Sequence, residues 1–281
     1  LALALALYGH LRLAALPVWV ACLGAYLLVS MPYVGVHTML AGYADLWLAS
    51  AFTLAALSLH AVALGGDRRY WLLAVCYALT CVILKVPGIL LAALLSVFIL
   101  FSLLRLRGRW QWLFLLLILG GTLLVLDTGV RREVAGWGNL ELSLQRITIP
   151  DMVNSELAWH PVVGALADTL LTMINWHLLW YAYVLALLLF ALRALRRRAS
   201  EPGQAAMVLL SLTATGVITA VFLFSDYYLR ALDFTTVNRA YLYAAPLAVY
   251  VVVLVLFPTR AQAGEATSLP GGAATGEPAA A

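Results

Sequence analysis

The stretch CVILKVPGILLA, residues 81–92, decides how the chain folds. It sets one lysine, Lys85, inside the run from Tyr70 to Leu104, whose only other ionisable groups are Cys76, Cys81 and the rings of Tyr70 and Tyr77. A charge at the centre of a bilayer costs about 2.5–3.5 kcal/mol and usually marks function. As one helix the run would be about 52 Å long, too much for a hydrocarbon core of about 30 Å. Pro87-Gly88 supplies the break, because proline removes a backbone donor and disfavours helix at the residue before it. The run therefore reads as a hairpin of two short spans with Lys85 at its tip, where a lysine can also simply snorkel to the interface.

The rest of the chain agrees. Of its 281 residues 64% are hydrophobic and 11% charged, which excludes an ordinary soluble domain. The apolar segments have spanning length and lack the ten-residue alternation of a membrane β-barrel. The expected fold is all-α, a polytopic transmembrane helical bundle of about eight spans plus a partial first one. Spans are expected near 1–9 (partial), 13–30, 44–64, 70–84, 87–104, 110–127, 172–192, 205–225 and 239–257. Residues 1–257 form this domain, with a long loop at 128–171, and the Pro/Gly/Ala-rich 258–281 reads as a disordered cytoplasmic tail. LALALALYGHLR (1–12) looks like the second half of a helix, as if the natural N-terminus were missing.

Charge sets the orientation. Arginines gather in GGDRRY (65–70), RLRGR (105–109) and RALRRR (193–198), which alternate spans place on one side with Arg12 and Arg260. The positive-inside rule makes that side cytoplasmic. The net charge of +4 needs no nucleic acid to explain it. Cys22, Cys76 and Cys81 lie in apolar segments without metal-ligand spacing and read as buried small hydrophobes.

The opposite side collects Lys85 and several polar groups. Asp45, in VGVHTMLAGYADLWLA (34–49), stands where a span begins and fits either a helix-start carboxylate or a site residue. Tyr43 fits an interfacial aromatic equally well, and His37 is a further polar group there. In FSDYYLRALDFTTVNRAYLYAAPLAVY (224–250), Asp226, Arg230, Asp233 and Arg239 fall between two spans. A cation in the first turn of the last helix opposes its dipole and lies on the face where positive charge is rare, so Arg239 expects an anion. Arginine suits phosphate because its planar fork donates two hydrogen bonds at once. The loop from Asp127 to Pro161 mixes tryptophans and leucines with charges and reads as an amphipathic segment on the membrane surface. NWHLLWYAY (175–183) reads as an interfacial aromatic belt. Gly-rich phosphate loops, HExxH, GxSxG and CxxC are absent.

The order GYADLWLA (42–49), GDRRYWLLA (66–74), ALTCVILKVPGILL (78–91), NWHLLW (175–180) and DFTTVNRAYLYAAPL (233–247) resembles the GT-C type membrane glycosyltransferases. The similarity is to their bacterial, protein-mannosyltransferase-like and aminoarabinose-transferase-like members and runs over most of residues 13–257. The family's hairpin carries a TKxEG-like turn; here lysine and glycine stand but Pro87 replaces the acid. The resemblance implies transfer of a sugar from a polyprenyl-phosphate donor to a glycan, lipid or protein acceptor, outside a bacterial inner membrane. Lys85, Arg239 and Arg230 would then bind the donor phosphate, with Asp45 and Tyr43 orienting substrate. It also implies a catalytic acid, sometimes metal-associated, in a loop upstream of Leu1, so that ligands for any divalent metal lie outside this chain and residues 1–281 alone are inactive. The competing expectation is a non-catalytic multi-span protein: a carrier or flippase for a lipid-linked glycan, or a scaffold subunit.

Overall fold

The computed structural model describes residues 1–40, 42–104, 109–134, 138–150, 153–196 and 203–257. The tail 258–281 and most of the arginine run 105–109 lie outside them. The described chain is mostly helical: α1 (Ala2–Leu13), α2 (Val18–Ser30), α3 (Pro32–Met39), α4 (Asp45–Ala63), α5 (Arg69–Leu84), α6 (Val86–Leu103), α7 (Arg109–Thr128), α8 (Val163–Ala167), α9 (Leu179–Leu195), α10 (Gln204–Phe224), α11 (Tyr228–Leu232) and α12 (Thr235–Leu256). Helices α4, α6, α10 and α12 are long and apolar enough to cross a membrane. A fifth span results if α2 and α3, bent by 61° between them, count as one; α1, α5 and α9 are apolar but shorter. The bend falls where Met31 turns extended and Pro32 opens the next helix, a position at which proline's missing N–H costs nothing.

Helix α12 is the hub, packing on α4, α9, α10 and α2. A nearly unbroken run from Tyr241 to Val255 is buried, so the helix is apolar all round, as a central bundle helix must be. Arg193 donates to the Val255 carbonyl (2.7 Å) and Gln204 to the Leu254 carbonyl (2.9 Å), satisfying acceptors that the end of α12 would otherwise bury unpaired.

Helices α5 and α6 form the expected hairpin, but its break lies one residue earlier than proline sterics suggest. Lys85 is extended, Val86 is already helical, and Pro87 occupies the second helical position. Gly88 is there for space: a β-carbon would sit 1.8 Å from the Cys81 carbonyl oxygen and 3.0 Å from a Leu48 methyl. The two arms therefore meet at backbone distance, with the Leu48 side chain of α4 packed against them.

The loop after α7 departs from the expected amphipathic segment. It is a four-stranded antiparallel meander, β1 (Val130–Val134), β2 (Gly138–Leu142), β3 (Arg146–Ile149) and β4 (Val153–Glu156), in the order β1-β2-β3-β4. Its charges, read from sequence as part of an amphipathic segment on the membrane surface, are cross-strand partners. Arg131 lies opposite Glu141 and Arg146 opposite Glu156, with N···O separations of 2.8 and 2.5 Å. β4 is tied to the end of α10 by a reciprocal pair: the Glu156 N–H donates to Asp226 (3.1 Å) and the Asp226 N–H to the Ser155 hydroxyl (3.1 Å). The Ala158 and His160 N–H groups continue the tie onto the Phe224 and Leu223 carbonyls. Asp226→Ala removes one of these bonds, worth about 1 kcal/mol. We expect faster proteolysis between residues 128 and 160 with the helices still protected; equal protection in the variant would show that the tie does not hold the sheet.

Other expectations are corrected by packing. Trp176, Trp180 and Tyr183 form no interfacial belt; they are buried against one another and against Tyr241. Cys22 and Cys76 are exposed on the bundle's surface, and only Cys81 is buried. The residues between 31 and 43, expected as a loop, contain α3.

Candidate anion site at the hairpin end of the bundle

Asp45 opens α4, and its side chain is fully enclosed. Three side chains from two further elements converge on it. From the turn between α5 and α6, Lys85 Nζ reaches Asp45 Oδ1 at 2.6 Å. From α12, the Tyr243 hydroxyl donates to the same oxygen at 2.6 Å. Arg239, one helical turn before Tyr243 and on the same face, lies 3.9 Å from Oδ2 through its Nε. That separation is an ion pair without a hydrogen bond, and Oδ2 is buried with no hydrogen-bond partner among the described residues. The guanidinium stacks instead on Tyr43, its central carbon 4.3 Å from the ring centroid.

Two cations thus share one carboxylate, leaving one net positive charge. Asp45 is buried, whereas Lys85 and Arg239 are about one third exposed. Lys85 and Tyr243 both occupy one carboxylate oxygen, Oδ1. Arg239 keeps its planar fork free, since no hydrogen bond from it is made to the described residues. A guanidinium held in place by an aromatic face, beside a lysine and without an acceptor, is a receptor for an anion with more than one oxygen.

Of the residues singled out by sequence, the fold brings together Lys85, Arg239, Asp45 and Tyr43. It leaves out Arg230, which is largely exposed and faces Asp233 at 3.7 Å. Backbone and hydroxyl hydrogen bonds from Thr235 hold the Asp233 carboxyl below its ordinary range, so this acid is occupied at the start of α12. Asp45, read from sequence as orienting substrate, is fully enclosed, with Lys85 and Tyr243 on Oδ1 and Arg239 facing Oδ2. Lys85 is ion-paired and is no unpaired snorkelling lysine. Arg239 sits one turn inside α12, which begins at Thr235 rather than near 239, so its conflict with the dipole is weaker than its place in sequence implies.

Sequence reasoning missed Tyr243. The signal was present as an i, i+4 pair with Arg239 within NRAYLY, a spacing that puts both side chains on one face. His37 also lies beside the cluster, its ring 6.4 Å from that of Tyr43 and 4.5 Å from that of Tyr33. The residues of the site do not suit a divalent metal: its one acid is enclosed by two cations, and no three His, Cys, Asp or Glu side chains gather among the described residues. No family model matches the chain, and neither the curated proteins nor the solved structures contain a match to it.

Proposed function

We propose that this is a GT-C-like integral membrane glycosyltransferase whose donor is a polyprenyl-phosphate sugar. Its phosphate is held by Lys85 and Arg239 at the outer end of a bundle of about eight spans. The supporting observation is the free guanidinium fork of Arg239 beside Lys85, with Asp45 fixing both cations. A lipid-linked phosphate lies at headgroup depth, and the turn between α5 and α6 is where a chain entering and leaving hydrocarbon would meet it. As the bond from sugar to phosphate breaks, charge grows on the phosphate oxygens, and preplaced cations favour that change without reorganising.

Asp45 does not act as the base, because its carboxylate is spoken for by Lys85 and Tyr243. That observation also favours a second reading, a non-catalytic carrier or scaffold that binds the same lipid phosphate. The two share the anion site and differ in turnover. Lys85→Ala and Arg239→Ala should each lower binding of a short-chain prenyl phosphate at least tenfold, since a charge-assisted hydrogen bond is worth about 1.5–3 kcal/mol. The amount of folded protein in the membrane should fall much less. Unchanged binding in both variants would remove the site. Sugar transfer from a synthetic polyprenyl-phosphate sugar by the wild type, lost in both variants, separates the enzyme from the carrier.

A further inference from the structure

The meander that follows α7 has two unlike faces, and its register separates them. Alternate residues of a strand point to opposite sides. One cross-strand row runs Val130, Leu142, Ile147, Ser155, and the adjoining row runs Arg131, Glu141, Thr148, Asn154. Leu140 and Ile149 extend the first face, while the ion pairs Arg131–Glu141 and Arg146–Glu156 both lie on the second. Among the described strand positions of the first face only Arg132, opposite Leu140 on the edge strand, is charged. Val130, Leu140, Leu142, Ile147 and Ile149 are half-buried, yet none of them packs into or against the core of the helical bundle. A small antiparallel sheet draws its stability from covering such a face.

Where the sheet is fastened indicates the cover. The Ser155 hydroxyl, on the apolar face, accepts from the Asp226 N–H, so that face is turned toward the end of α10. At the other side Gly129 (φ +68°) turns the chain from α7 straight into β1, and the Leu144 N–H donates to the Leu126 carbonyl in the last turn of α7 (2.9 Å). Helix α10 is long and apolar enough to cross a membrane, and α7 carries exposed leucines from Leu113 to Leu124. Beside the tie to α10, the exposed rings of Trp159 and Phe224 meet edge to face, an aromatic pair of the kind found at membrane–water boundaries. We propose that the meander is an interfacial sheet, whose apolar face rests on the lipid leaflet around these ends of α7 and α10 while its ion-paired face looks into water. The contact continues the exposed apolar flank of α7 from the acyl chains up to the headgroup boundary. A long cation at the sheet's edge suits that seat, because its stem can lie on apolar surface while its head stays in the polar layer. Sequence placed this loop on the membrane surface; the register supplies the face that meets it. The inference needs the bundle to be in a membrane, and it rests neither on the anion site nor on sugar transfer.

The test uses the full chain in phosphatidylcholine nanodiscs, with Cys22, Cys76 and Cys81 replaced by serine or alanine and single new cysteines carrying a bimane label. Leu142→Cys and Ile147→Cys report the apolar face; Thr148→Cys and Asn154→Cys report the polar one. A lipid bearing a nitroxide near the head of one acyl chain should quench the first pair severalfold more than the second. Iodide in the water should reverse that order. Two positions on each face keep the comparison whole if one variant fails to fold. Equal quenching of the two faces by either agent overturns the inference, and so does shielding of the Leu142→Cys and Ile147→Cys labels from both. In that shielded case, disulfide-linked dimers of unlabelled Ile147→Cys would name a second copy as the cover. None of these outcomes touches Lys85 or Arg239, so the anion site stands or falls separately.

Discussion

Replacing Asp45 with alanine is expected to destabilise the folded protein by about 2–4 kcal/mol. Removing one partner from a buried ion pair strands the other charge, and such breaks cost about 3–5 kcal/mol when both partners are dry. Here Lys85 and Arg239 keep some exposure, which lowers the figure, while Tyr243 loses the acceptor 2.6 Å from its hydroxyl and raises it again. Asp45→Asn should cost about half as much, because the amide oxygen still accepts from Lys85 and Tyr243. Unfolding in mixed micelles measures both. Equal loss in the two variants would assign the whole effect to charge; no loss in either would mean that the three helices meet there without needing the acid. The same comparison tests the role given to Asp45. If it orients the cations, Asp45→Asn should weaken phosphate binding even though it removes a competing negative charge.

The second large effect is expected at Gly88, from crowding and not from charge. Gly88→Ala places a methyl group 1.8 Å from the Cys81 carbonyl oxygen, far inside contact distance. No rotamer relieves a clash between a β-carbon and backbone, so the arms of the α5–α6 hairpin must part. The cost should be about 3 kcal/mol or more, at the upper end for overpacking. Cys81, fully buried beneath the turn, is a built-in reporter. With the exposed Cys22 and Cys76 changed to serine, Cys81 should resist maleimide in the parent and react in the Gly88→Ala protein. Continued protection of Cys81 in that variant would show that the hairpin accommodates the methyl group without opening.

How much of this was legible in the sequence follows from what each feature depends on. The hairpin at Lys85 was readable because proline chemistry and bilayer thickness are local constraints. The helix boundaries near 45–63, 69–84, 86–103 and 204–224 were readable because apolar runs end where charges and turns begin. The site was readable as an inventory, since Lys85, Arg239, Asp45 and Tyr43 do converge, but its wiring was not. Nothing local in GYADLWLA says that Asp45 takes its hydrogen bonds from residues 40 and 198 positions away. The acid that pairs with Lys85 comes from another helix, α4. Arg230, also read as a phosphate contact, faces Asp233 at i+3, a local pairing that the sequence spacing already offered. The meander was missed because leucine, tryptophan and paired charges suit an amphipathic surface segment as well as short strands. What separated them was the cross-strand matching of Arg131 with Glu141 and Arg146 with Glu156, a pattern that appears only once register is known.

The central place of α12 has a consequence for how the protein is made. This helix is the last of the described elements to leave the ribosome, yet α2, α4, α9 and α10 all pack around it. Until it arrives, the earlier helices enclose a vacancy. Asp45 then holds Lys85 but lacks Arg239 and Tyr243. A nascent chain stopped before residue 235 therefore lacks the α12 side of this cluster. Arrival of α12 brings Arg239 and Tyr243 to Asp45 and Lys85 in one step, so a chain stopped before it does not display the complete cluster.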